Sequence, residues 1–314
     1  MAQFDVTVVG ELNLDLILYG LPDDLEPERE ILAGDLALTL GSSSAIFAHN
    51  LAVIGNRVGF VSRIGTDALG GIALDRLAYG GVDVGRVRRV AGLTKTGLTV
   101  ILAGAGSRRI LTYPGAMFEM AYEDLDLDYL RSGKHFHLSS FYLHRALRPR
   151  LSQLFEEMKR AGLGTSLDTN DDPEDRWDGL EDVLRFVDVL FVNEREARKI
   201  AHEEDLERAA EKLAAKVQVL AIKQGARGGR VRRGKEEWTH AGCVVNAVDP
   251  VGAGDSFDAG FLHQYVRGAD LQACLAWGNL AGAFSTTRPG GTEAFRERAD
   301  WEEFLHRHGN EASA

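Results

Sequence analysis

Val244-Val245-Asn246-Ala247-Val248-Asp249-Pro250-Val251-Gly252-Ala253-Gly254-Asp255-Ser256-Phe257-Asp258-Ala259-Gly260-Phe261 is the stretch on which the fold of this chain turns. An apolar, β-prone run ends at Asp249. A proline and a Gly-Ala-Gly turn follow, and Phe257, Phe261 and Tyr265 then recur at helical spacing up to Gly268. A strand that enters a helix through small residues leaves the first N–H groups of that helix unpaired. Such a terminus attracts anions, phosphate above all. Asp255 is out of place there, because a carboxylate repels the anion. It is either a helix cap or a base that takes the proton of an attacking group while the Gly252, Ala253, Gly254 and Asp255 amides hold a transferring phosphoryl. The turn alone leaves both open. It is not a dinucleotide fingerprint, since no glycine stands three residues after Gly254.

Working back from this turn, short β-rich runs alternate with amphipathic helices from Lys134 onward. Strands are expected at 135–139, 165–168, 189–193 and 217–222, and helices at 149–161, 180–186, 194–199 and 206–215. This alternation predicts a parallel sheet with helices on both faces, a three-layer α/β/α fold. Ligands of such sheets bind beyond the carboxyl ends of the strands, which gathers Ser139, Asp168, Asn193, Gln224-Gly225 and Asp249 at one edge.

The first third of the chain reads differently. Phe4 to Gly10 is a short central strand. Leu12, Leu14, Leu16 and Leu18 then alternate with Glu11, Asn13 and Asp15, and Leu36, Leu38 and Leu40 repeat the pattern. Leu98 to Leu102 and Ile110 to Tyr113, joined by a glycine-rich turn at 103–107, complete a small antiparallel sheet. On the residues alone its polar face is a solvated one. Residues 41–55 read as a serine-capped helix stopped by Gly55.

Composition sets limits. The chain has 314 residues, 45% of them hydrophobic and 26% charged, with a formal charge of −11. That balance excludes general affinity for nucleic acid or anionic membrane. No run reaches transmembrane length, and Asp5, Glu11 and Asp15 interrupt any signal-peptide core. Cys243 and Cys274, each in apolar company, imply buried thiols in a reducing compartment, the cytoplasm.

Asp249-Pro250-Val251-Gly252-Ala253-Gly254-Asp255, with Phe257 and Gly260, resembles the C-terminal signature of the ribokinase-like carbohydrate kinases (the phosphofructokinase-B family), and the resemblance extends over nearly the whole chain. It implies one ribokinase-like domain over 1–314, with a Rossmann-like core and a small β lid from segments of about 11–40 and 93–115. It makes Asp255 the catalytic base and Gly252, Ala253 and Gly254 the anion hole. Asp249, Val251 and Gly291 become ligands of a monovalent cation, potassium. Asn13 and Asp15 stand where the family binds sugar hydroxyls. Gly41 is retained, but Ser42 replaces a second glycine and Ile46 replaces a sugar-binding Asn, with Asn50 one turn further on. Asn193 and Glu196 match the motif that organises magnesium through water. Lys223, Gly225, Gly228 and Asn279 fall on the nucleotide side, Lys223 where other members often carry Thr.

The resemblance thus implies ATP and Mg²⁺ as cofactors, a small sugar or sugar acid as acceptor, and a homodimer formed through the lid. Ser42 and Ile46 predict poor use of ribose. A nucleoside kinase and a non-catalytic sugar- or nucleotide-binding regulator of the same fold are the rivals. Arg109, beside Arg108, either reaches an anionic substrate group or is an ordinary surface arginine. Gly229 to Lys235 has P-loop spacing, but Glu236 stands where Ser or Thr would bind magnesium, and the segment reads as a hairpin. The pairs His135/His137 and His306/His308 lack companion ligands for zinc.

Overall fold

The computed structural model describes residues 2–104 and 108–309. Its larger sheet contains β1 (Phe4–Val9), β4 (Val58–Gly65), β5 (Asp83–Val90), β8 (Gly133–Leu138), β9 (Gly164–Asp168), β10 (Val189–Asn193), β11 (Val219–Lys223), β12 (Gly229–Arg233) and β13 (Glu236–His240). The strand order is β13-β12-β11-β10-β9-β8-β1-β4-β5. All pairings from β11 to β5 are parallel, and the β12–β13 hairpin adds an antiparallel edge. The Gly229–Lys235 segment is therefore a hairpin and not a phosphate loop.

Helices α1 (Ser43–Ile54), α2 (Ala68–Tyr79), α3 (Leu127–Arg131), α4 (Leu151–Arg160) and α5 (Glu181–Leu184) come first in the chain. They are followed by α6 (Glu194–Ala201), α7 (Leu206–Ala214), α8 (Ala253–Tyr265), α9 (Leu271–Ser285) and α10 (Arg298–His308). Two hydrophobic cores lie on opposite faces of the sheet. One holds Phe47, Phe257, Phe261, Leu275 and Trp301; the other holds Leu130, Leu154, Phe155, Ile200 and Leu213. Central strands such as β1, with Val6, Val8 and Val9 fully buried, serve both. Each buried large side chain stabilises the fold by roughly 1.5–3 kcal/mol. Helices α8 and α9 approach so closely that a Cβ on Gly260 would lie 2.3 Å from the Trp277 carbonyl oxygen. That contact fixes the pitch at which α8 presents its N-terminus.

The second sheet is β3-β2-β6-β7, with β2 at Leu14–Leu21, β3 at Asp35–Leu40, β6 at Leu98–Gly104 and β7 at Arg108–Tyr113. Its central pair, β2–β6, is parallel, which corrects the expectation of an antiparallel sheet. The reason is topological: β2 follows β1 and β6 follows β5, so both leave the carboxyl edge of the large sheet in the same direction. The turn at 105–107 lies outside the described residues. The polar face of β2 is not solvated either. Asp15 and Ile17 are buried toward the core, while Leu16 and Leu18 are half-buried on the outer side. Leu36, Ile110, Leu111 and Tyr113 remain exposed, each by more than half.

Residues 244–249, read as a strand from their apolar run, form no strand. Val244 is almost fully exposed, and the segment walls a cavity instead of joining β13. β-propensity without a neighbouring strand in register does not make a ladder.

Candidate active site

The site is assembled around the first turn of α8. Gly252 takes the N-cap position with φ +74°, and a Cβ on it would lie 2.4 Å from the Gly291 Cα. Glycine is required on both counts, for the left-handed backbone and for the contact between two turns. The Gly254 and Asp255 amides belong to the first turn, where helix geometry supplies no acceptor. Asp255 is buried there, and its carboxyl is pushed up to about 7 by burial and then by the charge of Asp168, against the opposing effects of Lys223 and Ser43.

One cation answers this acidity. Lys223, at the end of β11, places Nζ 2.7 Å from Asp168 Oδ2 and 3.3 Å from Asp258 Oδ2. A Cβ on Gly254 would lie 3.3 Å from the same Nζ, so the ammonium stands beside the α8 turn. Burial works against its charge, but Asp168, Asp258 and Glu196 outweigh burial and hold Lys223 above the usual lysine range. Asp168 stays below the usual carboxylate range because Lys223 overcomes its burial. Asp258 is pushed well up by burial, against the opposing charge of Lys223. Asp258 was not foreseen from sequence, although its i+3 spacing from Asp255 could have placed it on the same face.

A cavity of about 390 Å³ opens next to this turn. Gly225, Gly228, Cys243, Val245, Ala253 and Asn279 are among the residues that line it, and Lys223 closes its inner end. Its walls are mostly apolar, as suits a planar ring system followed by phosphates. Asn279 holds the loop above: its Nδ2 donates to the His240 carbonyl at 3.1 Å and to the Ala241 carbonyl at 3.3 Å. Asn193 and Glu196 form a reciprocal capping box at the start of α6. Both Glu196 oxygens accept from Asn193, through its backbone N at 2.8 Å and its Nδ2 at 2.5 Å. Burial, then Asp168, pushes the Glu196 carboxyl up to about 7.

The side of the small sheet holds the remaining expected residues. Asp15 is 6% exposed, its carboxyl pushed up to about 7 by burial and by Asp249, and it lies over Gly41, where a Cβ would meet its Oδ1 at 2.1 Å. Asn13 donates its backbone N–H to Ser42 Oγ at 2.8 Å. Ser42 thus occupies the N-cap position of α1 without capping it; its φ is +70° and its hydroxyl holds β2. Ile46 packs its δ-methyl against Gly291 and its γ-methyl against Gly252. Asn50 is fully buried and donates to Ser256 Oγ and to the Gly291 carbonyl, both at 2.9 Å. Tyr19, further along the same face of β2, donates its hydroxyl to Asp249 Oδ2 at 2.8 Å. The period-2 continuation from Asn13 and Asp15 could have pointed to it.

Three expected substrate residues are engaged by other partners. Ser139 Oγ is bonded to His137 Nε2 at 2.8 Å, within a buried His135–Ser166–His137 chain. Burial lowers those two imidazoles to about 4 and about 3, so both are neutral structural groups. Asp168 is committed to Lys223. Arg109 is exposed and donates to the Asp23 carbonyl at 3.1 Å, within the lid. Among the described residues no three His, Cys, Asp or Glu side chains group as metal ligands, and no helix is long and apolar enough to cross a membrane.

Comparison with known proteins accounts for this arrangement. Residues 3–298 match the pfkB family carbohydrate kinase domain. A fructokinase of Klebsiella pneumoniae is 30% identical over 90% of this chain and 96% of its own length. An ATP-dependent ribose-1-phosphate kinase of Halopiger xanaduensis is 29% identical over 92% of this chain and 94% of its own. Among solved structures, Arabidopsis thaliana ribokinase complexed with ribose and ATP superposes with a TM-score of 0.80 at 24% identity, covering 97% of this chain and 99% of that one. The last establishes a shared fold. The chain belongs to the pfkB family of carbohydrate kinases and is a phosphotransferase with an alcohol group as acceptor.

Proposed function

We propose that this protein transfers the γ-phosphoryl group of ATP to a hydroxyl of a small sugar. The observation that carries the proposal is the buried Asp255 carboxyl inside an anion-binding helix turn, flanked by Lys223 and opening on the 390 Å³ cavity. In this reading the nucleotide fills the cavity past Gly225 and Gly228, and its terminal phosphate meets the Gly252–Asp255 amides. Asp255 accepts the proton of the attacking hydroxyl as its oxygen bonds to the γ-phosphorus. The bond from that phosphorus to the leaving oxygen breaks, and ADP departs. Lys223 and the amides hold the charge that spreads over the equatorial oxygens. Magnesium bound with the nucleotide would neutralise its phosphates, with Asn193 and Glu196 reaching it through water, as a site of few carboxylates allows.

Asp15 and Asn13 would orient the acceptor under the lid, which excludes competing water. ATP as donor is supported by the names of the relatives above. The exposed leucine-rich face of the lid fits pairing with a second copy, and the reading places the enzyme in the cytoplasm, where ATP is available. An acceptor panel with ATP, reading ADP release, tests the proposal. Turnover of a sugar that requires Asp255 is the expected result. Turnover of nucleosides alone would shift the acceptor class, and binding without turnover would make the protein a regulator on a kinase fold.

A further inference from the structure

Two of the three groups expected to ligate a monovalent cation, Asp249 and Gly291, already have other partners. Asp249 Oδ2 accepts from the Tyr19 hydroxyl at 2.8 Å and from the Gly290 N–H at 3.0 Å. Asp249 Oδ1 accepts from the Val251 N–H at 3.0 Å, and the Gly291 carbonyl accepts from Asn50 at 2.9 Å. Four donors present the positive ends of their bonds to the oxygens a potassium ion would need. The donor set does not fit a cation held by Asp249 and Gly291 while β2 is docked.

What such an ion would accomplish is nevertheless accomplished. Asp249 begins the turn that carries the Gly252–Asp255 amides, and Gly290-Gly291 pack directly on it. The Tyr19 contact spans 230 residues of sequence and joins the lid to both loops through one buried carboxylate. On the neighbouring strand, Thr39 reinforces it: Gly290 packs against the Thr39 side chain, and Thr39 Oγ1 donates to Glu293 at 3.0 Å. The Tyr19 phenol stays protonated at any ordinary pH, since burial and the Asp249 carboxylate both raise it.

We infer that Tyr19 is a positioning residue that replaces a monovalent cation: its hydroxyl, delivered by the lid, holds Asp249 and so orders the anion-binding turn. The turn is then organised only when the lid is docked, which couples acceptor coverage to phosphate alignment without a bound ion. The effect on catalysis rests on the kinase reading; the effect on the fold does not.

The test compares wild type with Tyr19→Phe in potassium, sodium and tetramethylammonium chloride at equal ionic strength, by melting temperature and by steady-state kinetics. Wild type should be indifferent to the cation in both. Tyr19→Phe should lose about tenfold in kcat in tetramethylammonium, the scale of one hydrogen bond to a charged group, with the KM for ATP little changed. Potassium should restore most of that loss and raise the variant's melting temperature, because the vacated side of Asp249 Oδ2 can then accept an ion. Potassium activation of wild type, a variant that behaves like wild type, or a loss that no cation restores would each overturn the inference. Should no acceptor be turned over, the kinase reading fails, while the melting temperatures still decide on Tyr19.

Discussion

The two ends of the proposed transfer path are built in different ways. On the phosphate side the chemistry comes from short contiguous pieces: the 252–255 turn, Asp258 one helical turn on, and Lys223 with the 225–228 turn that follows it. On the acceptor side, Asn13, Asp15, Tyr19, Ser42, Ile46, Asn50, Asp249 and Gly291 arrive from four separated segments. Several of them hold one another rather than facing open space. Under the proposed function, backbone amides and a helix dipole would serve the first end almost independently of neighbours. At the second end, the role of a side chain depends on which partner reaches it first.

The largest test of this contrast is Asp255→Asn. If the phosphate side works as read, turnover should fall by roughly 10²–10⁴-fold while ATP-analogue binding is retained. If Asp255 were only a structural residue of the first turn of α8, the near-isosteric Asn would leave turnover unchanged. Next comes Lys223→Met. Removing the one cation between Asp168 and Asp258 leaves buried carboxylates unpaired, and chemical denaturation should show a loss of roughly 3–5 kcal/mol. Loss of under 1 kcal/mol would mean that protonation of Asp168 replaces the lysine.

The acidity of the phosphate side also sets a pH dependence. Asp255 must be ionised to act, and in the free protein it is raised to about 7. The kcat/KM should therefore rise with pH, about tenfold per unit below 7, and level above it. Stability runs the other way. Between its unfolded value of 3.8 and about 7 the folded state binds the proton more tightly, so this group's contribution is present at low pH and lost as pH rises through 7. Asp255→Asn should accordingly be more stable than wild type at pH 8, by roughly 1–3 kcal/mol, with the gap closing toward pH 4. A gap that is constant with pH would place the titration elsewhere.

The same contrast explains what could be read from the chain. The parallel sheet was legible because strand and helix periods alternate from Lys134 onward, and the turn into α8 because Gly-Ala-Gly stands before an apolar helical pattern. The segment at 244–249 misled, since an apolar run has the same composition whether it lines a cavity or joins a sheet. Ser139 and Asp168 were correctly placed at the strand ends, but strand position does not reveal that a histidine or a lysine has already taken the side chain. The lid's faces were legible as alternation, yet alternation carries no sign. Only docking shows that Asp15 points inward and Leu16 and Leu18 outward, while Leu14 is buried in the core.

The smallest expected effect is the one at Ser42, where sequence reasoning expected a change of acceptor. Two consequences of Ser42→Gly oppose each other. The backbone at φ +70° suits glycine better than serine, which relieves roughly 1 kcal/mol of strain. Against this, the Asn13 N–H loses its acceptor at 2.8 Å, a hydrogen bond worth roughly 0.5–1.5 kcal/mol, and the removed side chain leaves room for a water to replace it. The terms nearly cancel, so stability should change by under about 1 kcal/mol. Because the hydroxyl is engaged with β2, kcat/KM should shift by less than about threefold, and equally for ribose, ketoses and sugar acids. Ile46→Asn would add an amide against the Gly252 and Gly291 backbones, so it should lower kcat for every acceptor alike without creating a sugar contact. A panel in which Ser42→Gly reordered the acceptors, raising ribose above the others, would show that this hydroxyl faces the substrate. The acceptor end would then be as direct in its chemistry as the phosphate end.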